Sequence, residues 1–183
     1  MYKIQLSPIY LHSLNSKQNS TGFTLIELLV VIVISGILAA IALPSLMKQT
    51  VKAKQTAAKQ NIALINHAQV IYRSENNSFA NTFDSLLVDT LDGNSTDTYK
   101  GYNYLLSAGI DTTSITATPI DASLKGYSGG TNRYVDTSSY RQELVSIMCE
   151  ANQPGKTAAV APTFHNTTAT PDCPSNYKDL TSK

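Results

Sequence analysis

The chain has 183 residues, of which 42% are hydrophobic and only 15% charged, and its formal net charge is +1. That size suits one modest domain plus an apolar segment. A balance so close to zero excludes the basic surplus of a nucleic-acid binder and any steering of partners by bulk charge.

Lys3 and Lys17 are the only Lys, Arg, Asp or Glu residues before Gly22, which leaves 12 basic and 13 acidic residues for the remainder, a net of about −1. Residues 1–21 are mixed, and mostly polar from His12 onward. An ordinary secretory signal places its cleavage site after its apolar core. Here the order is inverted, because the apolar run begins only after Gly22. Lys17, close to that run, keeps the N-terminal side in the cytoplasm by the positive-inside rule, so the rest faces outward.

Residues 23–43 are 21 positions interrupted by a single charge, Glu27. At about 1.5 Å of rise per residue a helix of that length covers roughly 30 Å, the thickness of a bilayer's hydrocarbon core. The sequence therefore predicts a membrane-spanning helix. A carboxylate costs on the order of 3 kcal/mol at the middle of such a span, so Glu27, near one end, either snorkels to the interface or has a partner.

The stretch Gly22-Phe23-Thr24-Leu25-Ile26-Glu27-Leu28-Leu29-Val30, continued by Gly36-Ile37-Leu38-Ala39-Ala40-Ile41-Ala42-Leu43-Pro44, resembles the class III signal of type IV prepilins and type II secretion pseudopilins. The resemblance covers residues 22–45. It implies a leader of residues 1–22, cleavage between Gly22 and Phe23 by a prepilin peptidase, and N-methylation of Phe23. A membrane platform and a cytoplasmic ATPase would then drive polymerisation. The resemblance also gives Glu27 a partner, the new amine of Phe23 on a neighbouring subunit. Opposite charges ~4 Å apart attract by roughly 4 kcal/mol at an effective dielectric of 20, which offsets much of the burial cost. Gly36 and Pro44 weaken the helical ladder, so a kink is expected between them. The resemblance implies that this segment unwinds in the filament, giving it extensibility.

Past residues 23–44 the pattern becomes amphipathic. Met47, Val51, Ala58, Ile62, Ile65 and Tyr72 recur at spacings of three, four or seven and share one face. Lys48, Lys52, Lys59, Asn66 and Arg73 fall on another, read as solvated rather than as a DNA-binding face. This half, residues 45–75, should end near Glu75. With the membrane half it would make a rod of roughly 75–80 Å. His67 reads as a packing or surface residue.

Asn76-Asn77-Ser78 breaks the helix and opens a connecting loop, residues 76–98, with a turn at Asp92-Gly93-Asn94 and a short helical turn near 83–88. Strands are expected at 99–106, 114–118, 132–135 and 144–149. Gly109, Pro119, Gly126, Gly129 and Gly130 punctuate them, which suits an antiparallel sheet of three or four strands in a head spanning 99–183. From residue 153 onward Pro154, Pro162, Pro171 and Pro174 make an irregular tail. Cys149 and Cys173 lie in a polar region; if it is exported they form a disulfide that ties the tail down, for about 3 kcal/mol of loop closure.

The fold class is thus α+β: a long N-terminal helix packed on a small antiparallel sheet, the fold implied by the type IV pilin resemblance. A softer resemblance, in residues 76–80, the Tyr-rich strand and Leu124-Lys125-Gly126-Tyr127, is to the pilin-like G and H group. Gly126-Tyr127-Ser128-Gly129-Gly130 fits the bare G-x-S-x-G pattern, but glycines crowd it and only His165 follows, so it is read as a turn. There is no C-x-x-C, histidine pair or carboxylate cluster, so no metal, cofactor or enzymatic activity is expected. Asn76, Asn94 and Asn166 begin N-x-S/T triplets that leave glycosylation open.

These residues point to a structural subunit of a type IV pilus, a helical homo-oligomer. The precursor would sit in the inner membrane and the filament on the cell surface, used for motility, adhesion or DNA uptake, with no direct nucleic-acid binding by the head. One alternative is a minor pilin or a type II secretion pseudopilin. The other is a single-span anchored periplasmic binding domain or enzyme, which would keep Met1.

Overall fold

The computed structural model describes residues 22–88, 91, 93, 95–136, 141–165 and 171–181; the leader before Gly22, the flanks of the turn at Gly93, Asn94 and Asn166 lie outside them. Helix α1 (Leu25–Glu75) ends where the break at Asn76 predicts. It continues through Gly36 and Pro44 in the single chain. Pro44 has no amide hydrogen, so the Ala40 carbonyl loses its usual donor four residues on. Every residue from 22 to 50 is exposed.

A compact unit begins at Pro44. In it α1 lays Ala58, Ile62 and Ile65, each with 0% of its surface exposed, against a sheet. The strands are β1 (Thr96–Tyr99), β2 (Tyr102–Ala108), β3 (Thr112–Pro119), β4 (Lys125–Val135), β5 (Gln142–Pro154) and β6 (Tyr177–Asp179). They lie side by side in chain order, each antiparallel to the next. Alternation along β2 sends Tyr102, Tyr104 and Leu106 into the core and Asn103, Leu105 and Ser107 outward.

The sheet is larger than the three or four strands expected. The expected strand at 99–106 is a hairpin instead: Lys100 and Gly101 have φ of 48° and 86°, the left-handed pair that a two-residue turn requires. Its first strand, β1, occupies the end of the expected loop. Within that loop a 3-10 turn, Asp84–Leu86, stands where a helical turn was expected, closed by Leu87 in the left-handed region. Leu86 and Val88 are buried while Leu87 points outward.

Gly126-Tyr127-Ser128-Gly129-Gly130 is a second correction. It is not a turn but the buried first half of β4, covered on both faces. A Cβ on Gly129 would run into Ile62 of α1, and one on Gly130 into Phe164. Glycine is there because the neighbours leave no room, not because the chain reverses. Phe164 belongs to the segment after β5, which crosses the face opposite α1 and is pinned by Ala159 N to Thr118 Oγ1 at 3.0 Å. The Cys149–Cys173 disulfide is formed on that face.

The face of α1 expected to be solvated is a third, in part: Lys48 and Lys52 are exposed, but the residues farther along are not. Asn66 is buried and donates to the Ile147 carbonyl at 2.9 Å, and Lys59 reaches Glu150 at 2.6 Å. The buried stripe is wider than its apolar members because three amides join it: Asn61 donates to the Tyr104 hydroxyl, and Gln69 both donates to and accepts from the Ala80 backbone at 2.7 and 2.9 Å.

Candidate functional site

Of the residues expected to be functional, Gly22, Phe23 and Glu27 lie at the start of α1, Gly36 and Pro44 farther along it, and Cys149 and Cys173 in the head. Gly22 and Phe23 precede the helix and are open to solvent, Phe23 with 87% of its surface exposed. The first turn has a feature the sequence reading missed. Thr24 is its cap: its hydroxyl accepts from the Glu27 amide at 3.3 Å, and the Glu27 carboxylate accepts from the Thr24 amide and hydroxyl at 2.8 and 2.9 Å. This reciprocal box satisfies amides that the first turn leaves without partners. The T-x-x-E spacing of Thr24 and Glu27 is the sequence signal for it. Both Thr24 bonds converge on Oε2, and a carboxylate has a second oxygen with its own lone pairs. Glu27 can hold the cap and meet an ammonium together.

Among the described residues one helix, α1, is long and apolar enough to cross a membrane, and no residue of its apolar window is buried. Apart from its own stretch of helix, Gly36 has no described heavy atom within 4 Å of where its Cβ would stand.

A second cluster locks α1 to the sheet. Glu150 on β5 pairs with Lys59 at 2.6 Å and Lys125 at 2.8 Å. Burial works against the Glu150 charge, but the hydrogen bonds and charges of the two lysines outweigh it and hold the carboxyl below the ordinary range. Lys59 also stands 5.5 Å from the centre of the Tyr127 ring. Tyr127 packs on Tyr102, which packs on Tyr104, with ring centres 6.0 and 6.3 Å apart. Burial pushes the Tyr104 phenol up to about 12, so it stays neutral. This cluster is structural: a partly buried ion triad between helix and sheet.

The remaining candidates do not assemble into a site. Ser128 is fully buried, with no hydrogen-bond partner for its hydroxyl among the described residues. His67 is exposed on α1. His165 pairs with Asp172 at 3.0 Å within the disulfide-tied tail, and Asp179 accepts from Thr181. Among the described residues no three His, Cys, Asp or Glu residues group as metal ligands.

Residues 55–174 match the type IV pilin-like G and H family, and residues 17–43 match the prokaryotic N-terminal methylation motif. The chain is similar to the type II secretion system core protein G of Aeromonas hydrophila, 41% identical over 70 residues, 38% of this chain and 49% of that protein. It is similar to the type IV major pilin protein PilA of Myxococcus xanthus, 46% identical over 59 residues, 32% of this chain and 27% of that one. Likeness to the type IV wide pilus major component PilA4 of Thermus thermophilus is 40% over 73 residues, 38% of this chain and 53% of that one. The chain thus spans about half the length, or less, of these curated relatives. No solved structure matches it. Because the first match takes in close to two thirds of the sequence, the chain belongs to the type IV pilin-like G and H family.

Proposed function

We propose that the chain is made as an inner-membrane precursor with its leader, residues 1–22, in the cytoplasm. A prepilin peptidase cuts between Gly22 and Phe23 and methylates the new amine. The mature chain then polymerises into a type IV pilus, driven by an assembly platform and its ATPase. The observation that carries this is the unburied apolar window of α1, joined to a head with a core of its own. The 17 apolar residues among 23–43, all exposed, must find either lipid or other copies of the same helix. The membrane serves the precursor and neighbouring subunits serve the filament. Glu27 supplies register by meeting the methylated amine of the next Phe23, and the stretch from Gly36 to Pro44 supplies flexibility. The near-neutral head takes no direct part in nucleic-acid binding.

A second reading, a type II secretion pseudopilin, is favoured by the several core protein G relatives. Two measurements separate the possibilities. Mature protein beginning at N-methylated Phe23 is expected; a retained Met1 would instead identify an anchored periplasmic domain. Electron microscopy of sheared surface filaments, with mass spectrometry of their content, should show this chain as the dominant subunit. Its absence from them would favour the pseudopilin or a minor pilin.

A further inference from the structure

Leu87 is 88% exposed, the largest fraction of any large apolar side chain among the described residues. It closes the 3-10 turn Asp84–Leu86 with φ of 51°, and its amide donates to the Asp84 carbonyl at 3.2 Å. Glycine or asparagine fills such a left-handed position at lower cost. Leucine here has a strained backbone and buries nothing, although its neighbours Leu86 and Val88 enter the core. Both losses are offset once another surface covers Leu87. A surface of the right kind lies on the same compact unit. It is an open groove of about 690 Å³ between the first turns of α1 past Pro44 and the loop that joins β3 to β4. Met47, Val51 and Leu124 give it an apolar lining.

Charge matches the two surfaces. Lys48 and Lys52 stand one helical turn apart on the groove. Asp121 supplies counter-charge to Lys54, whereas Lys48 and Lys52 form no ion pair among the described residues. Beside Leu87, Asp84 is exposed, and residues 76–95 contain three Asp and no Lys or Arg. Leu87 does not fill the groove of its own copy. It is open to solvent, and its segment is held at Ala80 by Gln69, 18 residues past Val51 or about 27 Å along α1. From this we propose that Leu87 of one copy seats in the groove of the next, against Met47 and Val51, with Asp84 facing Lys48 and Lys52. A second copy is the occupant because both halves of the contact, the apolar knob beside an acid and the apolar groove beside lysines, belong to this chain. The inference rests on the polymerisation proposed above and names one contact between heads. Knob and groove are different patches of one body, so the contact is head-to-tail and repeats from copy to copy instead of closing a pair, as an open helical filament requires.

The test uses the full chain as assembled by cells. Its two cysteines are bonded to each other, so introduced cysteines supply the free thiols. Sheared filaments of the Leu87→Cys/Met47→Cys double variant, treated with a short bismaleimide, should give a ladder of dimers, trimers and higher species, and neither single variant should. Leu87→Asn suits the left-handed position but removes the knob. It should cut filament yield by about fivefold or more, while the detergent-solubilised chain unfolds no more easily than the parent. Double-variant filaments without a ladder, or an unchanged yield from Leu87→Asn, overturn the proposal alone. A dimer from Leu87→Cys by itself would set Leu87 against its own counterpart, and an adduct to a different protein would give it another partner; either overturns the proposal. Parent cells that make no filaments of this chain overturn the polymerisation reading and the proposal with it.

Discussion

Gly129→Ala tests the seat of α1 on the sheet. The added Cβ would press on Ile62 and stand 2.9 Å from Asn66 Nδ2. Ile62 is wholly buried and cannot swing into solvent. Displacing it is overpacking, at about 1–3 kcal/mol. Moving Asn66 instead gives up its bond to the Ile147 carbonyl, at about 1 kcal/mol. Against this, Gly129 lies outside the left-handed region, so alanine fits its backbone and returns about 0.4–1 kcal/mol by restricting the unfolded chain. The clash should win, with a net loss of about 1–3 kcal/mol. Guanidinium unfolding of the full chain in detergent, followed by the near-ultraviolet signal of the buried tyrosines, would measure it. The sharper version adds Ile62→Ala, which alone should cost about 2–5 kcal/mol but removes the methyl the new Cβ meets. The double variant should lose less than the sum of its parts by about 1 kcal/mol or more. Strict additivity, or a Gly129→Ala protein within about 0.5 kcal/mol of the parent, would refute the close approach of helix and strand.

The Glu150 triad predicts a pH dependence of definite sign. A carboxyl with a lowered folded pKa stabilises the fold fully above its unfolded pKa of about 4.3 and loses that contribution as pH falls through the folded value. Glu150→Gln should therefore cost about 1 kcal/mol at neutral pH and converge with the parent in acid; a constant gap across the titration would contradict this. The Cys149–Cys173 bond closes a loop of sequence separation 24, for which the chain-entropy model gives about 3.5 kcal/mol. Unfolding with and without reductant should differ by roughly that amount, and a difference under about 1 kcal/mol would mean that the tail is held by its packing on β4 instead.

The parts of the fold legible in sequence were those with strong local causes. The end of α1 follows from Asn76-Asn77-Ser78, and its buried face from Ala58, Ile62 and Ile65. Glycines 126, 129 and 130 misled because glycine carries two meanings, freedom of φ and absence of bulk. Only the tertiary neighbours Ile62 and Phe164 show that the second applies. Asn66 and Lys59 misled for a related reason. A polar residue on a helix is read as solvated unless its partner is known, and the partners Ile147 and Glu150 lie more than 80 residues away. Lys100-Gly101 is a hairpin turn without the Asn-Gly or Asp-Gly that usually advertises one. At the start of α1 the sequence singles out Glu27 but not the residue it bonds, Thr24.

The Thr24–Glu27 box supplies the most discriminating substitution at the proposed assembly site. Glu27 has two candidate duties, closing the capping box with Thr24 and meeting the amine of a neighbouring Phe23, and Glu27→Ala removes both. Glu27→Gln separates them, because a glutamine can still accept from the Thr24 amide and hydroxyl but carries no charge for the ammonium. Thr24→Ala does the converse: it costs the cap about 1 kcal/mol and keeps the carboxylate. If the charge sets the register, Glu27→Gln should be cleaved and methylated at Phe23 yet fail to yield filaments, since the pair worth roughly 4 kcal/mol is gone. Thr24→Ala should still polymerise, with a frayed first turn. Mass spectrometry of the mature N-terminus and electron microscopy of sheared filaments read the two steps separately. The opposite pattern, filaments from Glu27→Gln and none from Thr24→Ala, would assign Glu27 to the start of its own helix and leave the Phe23 amine without this partner.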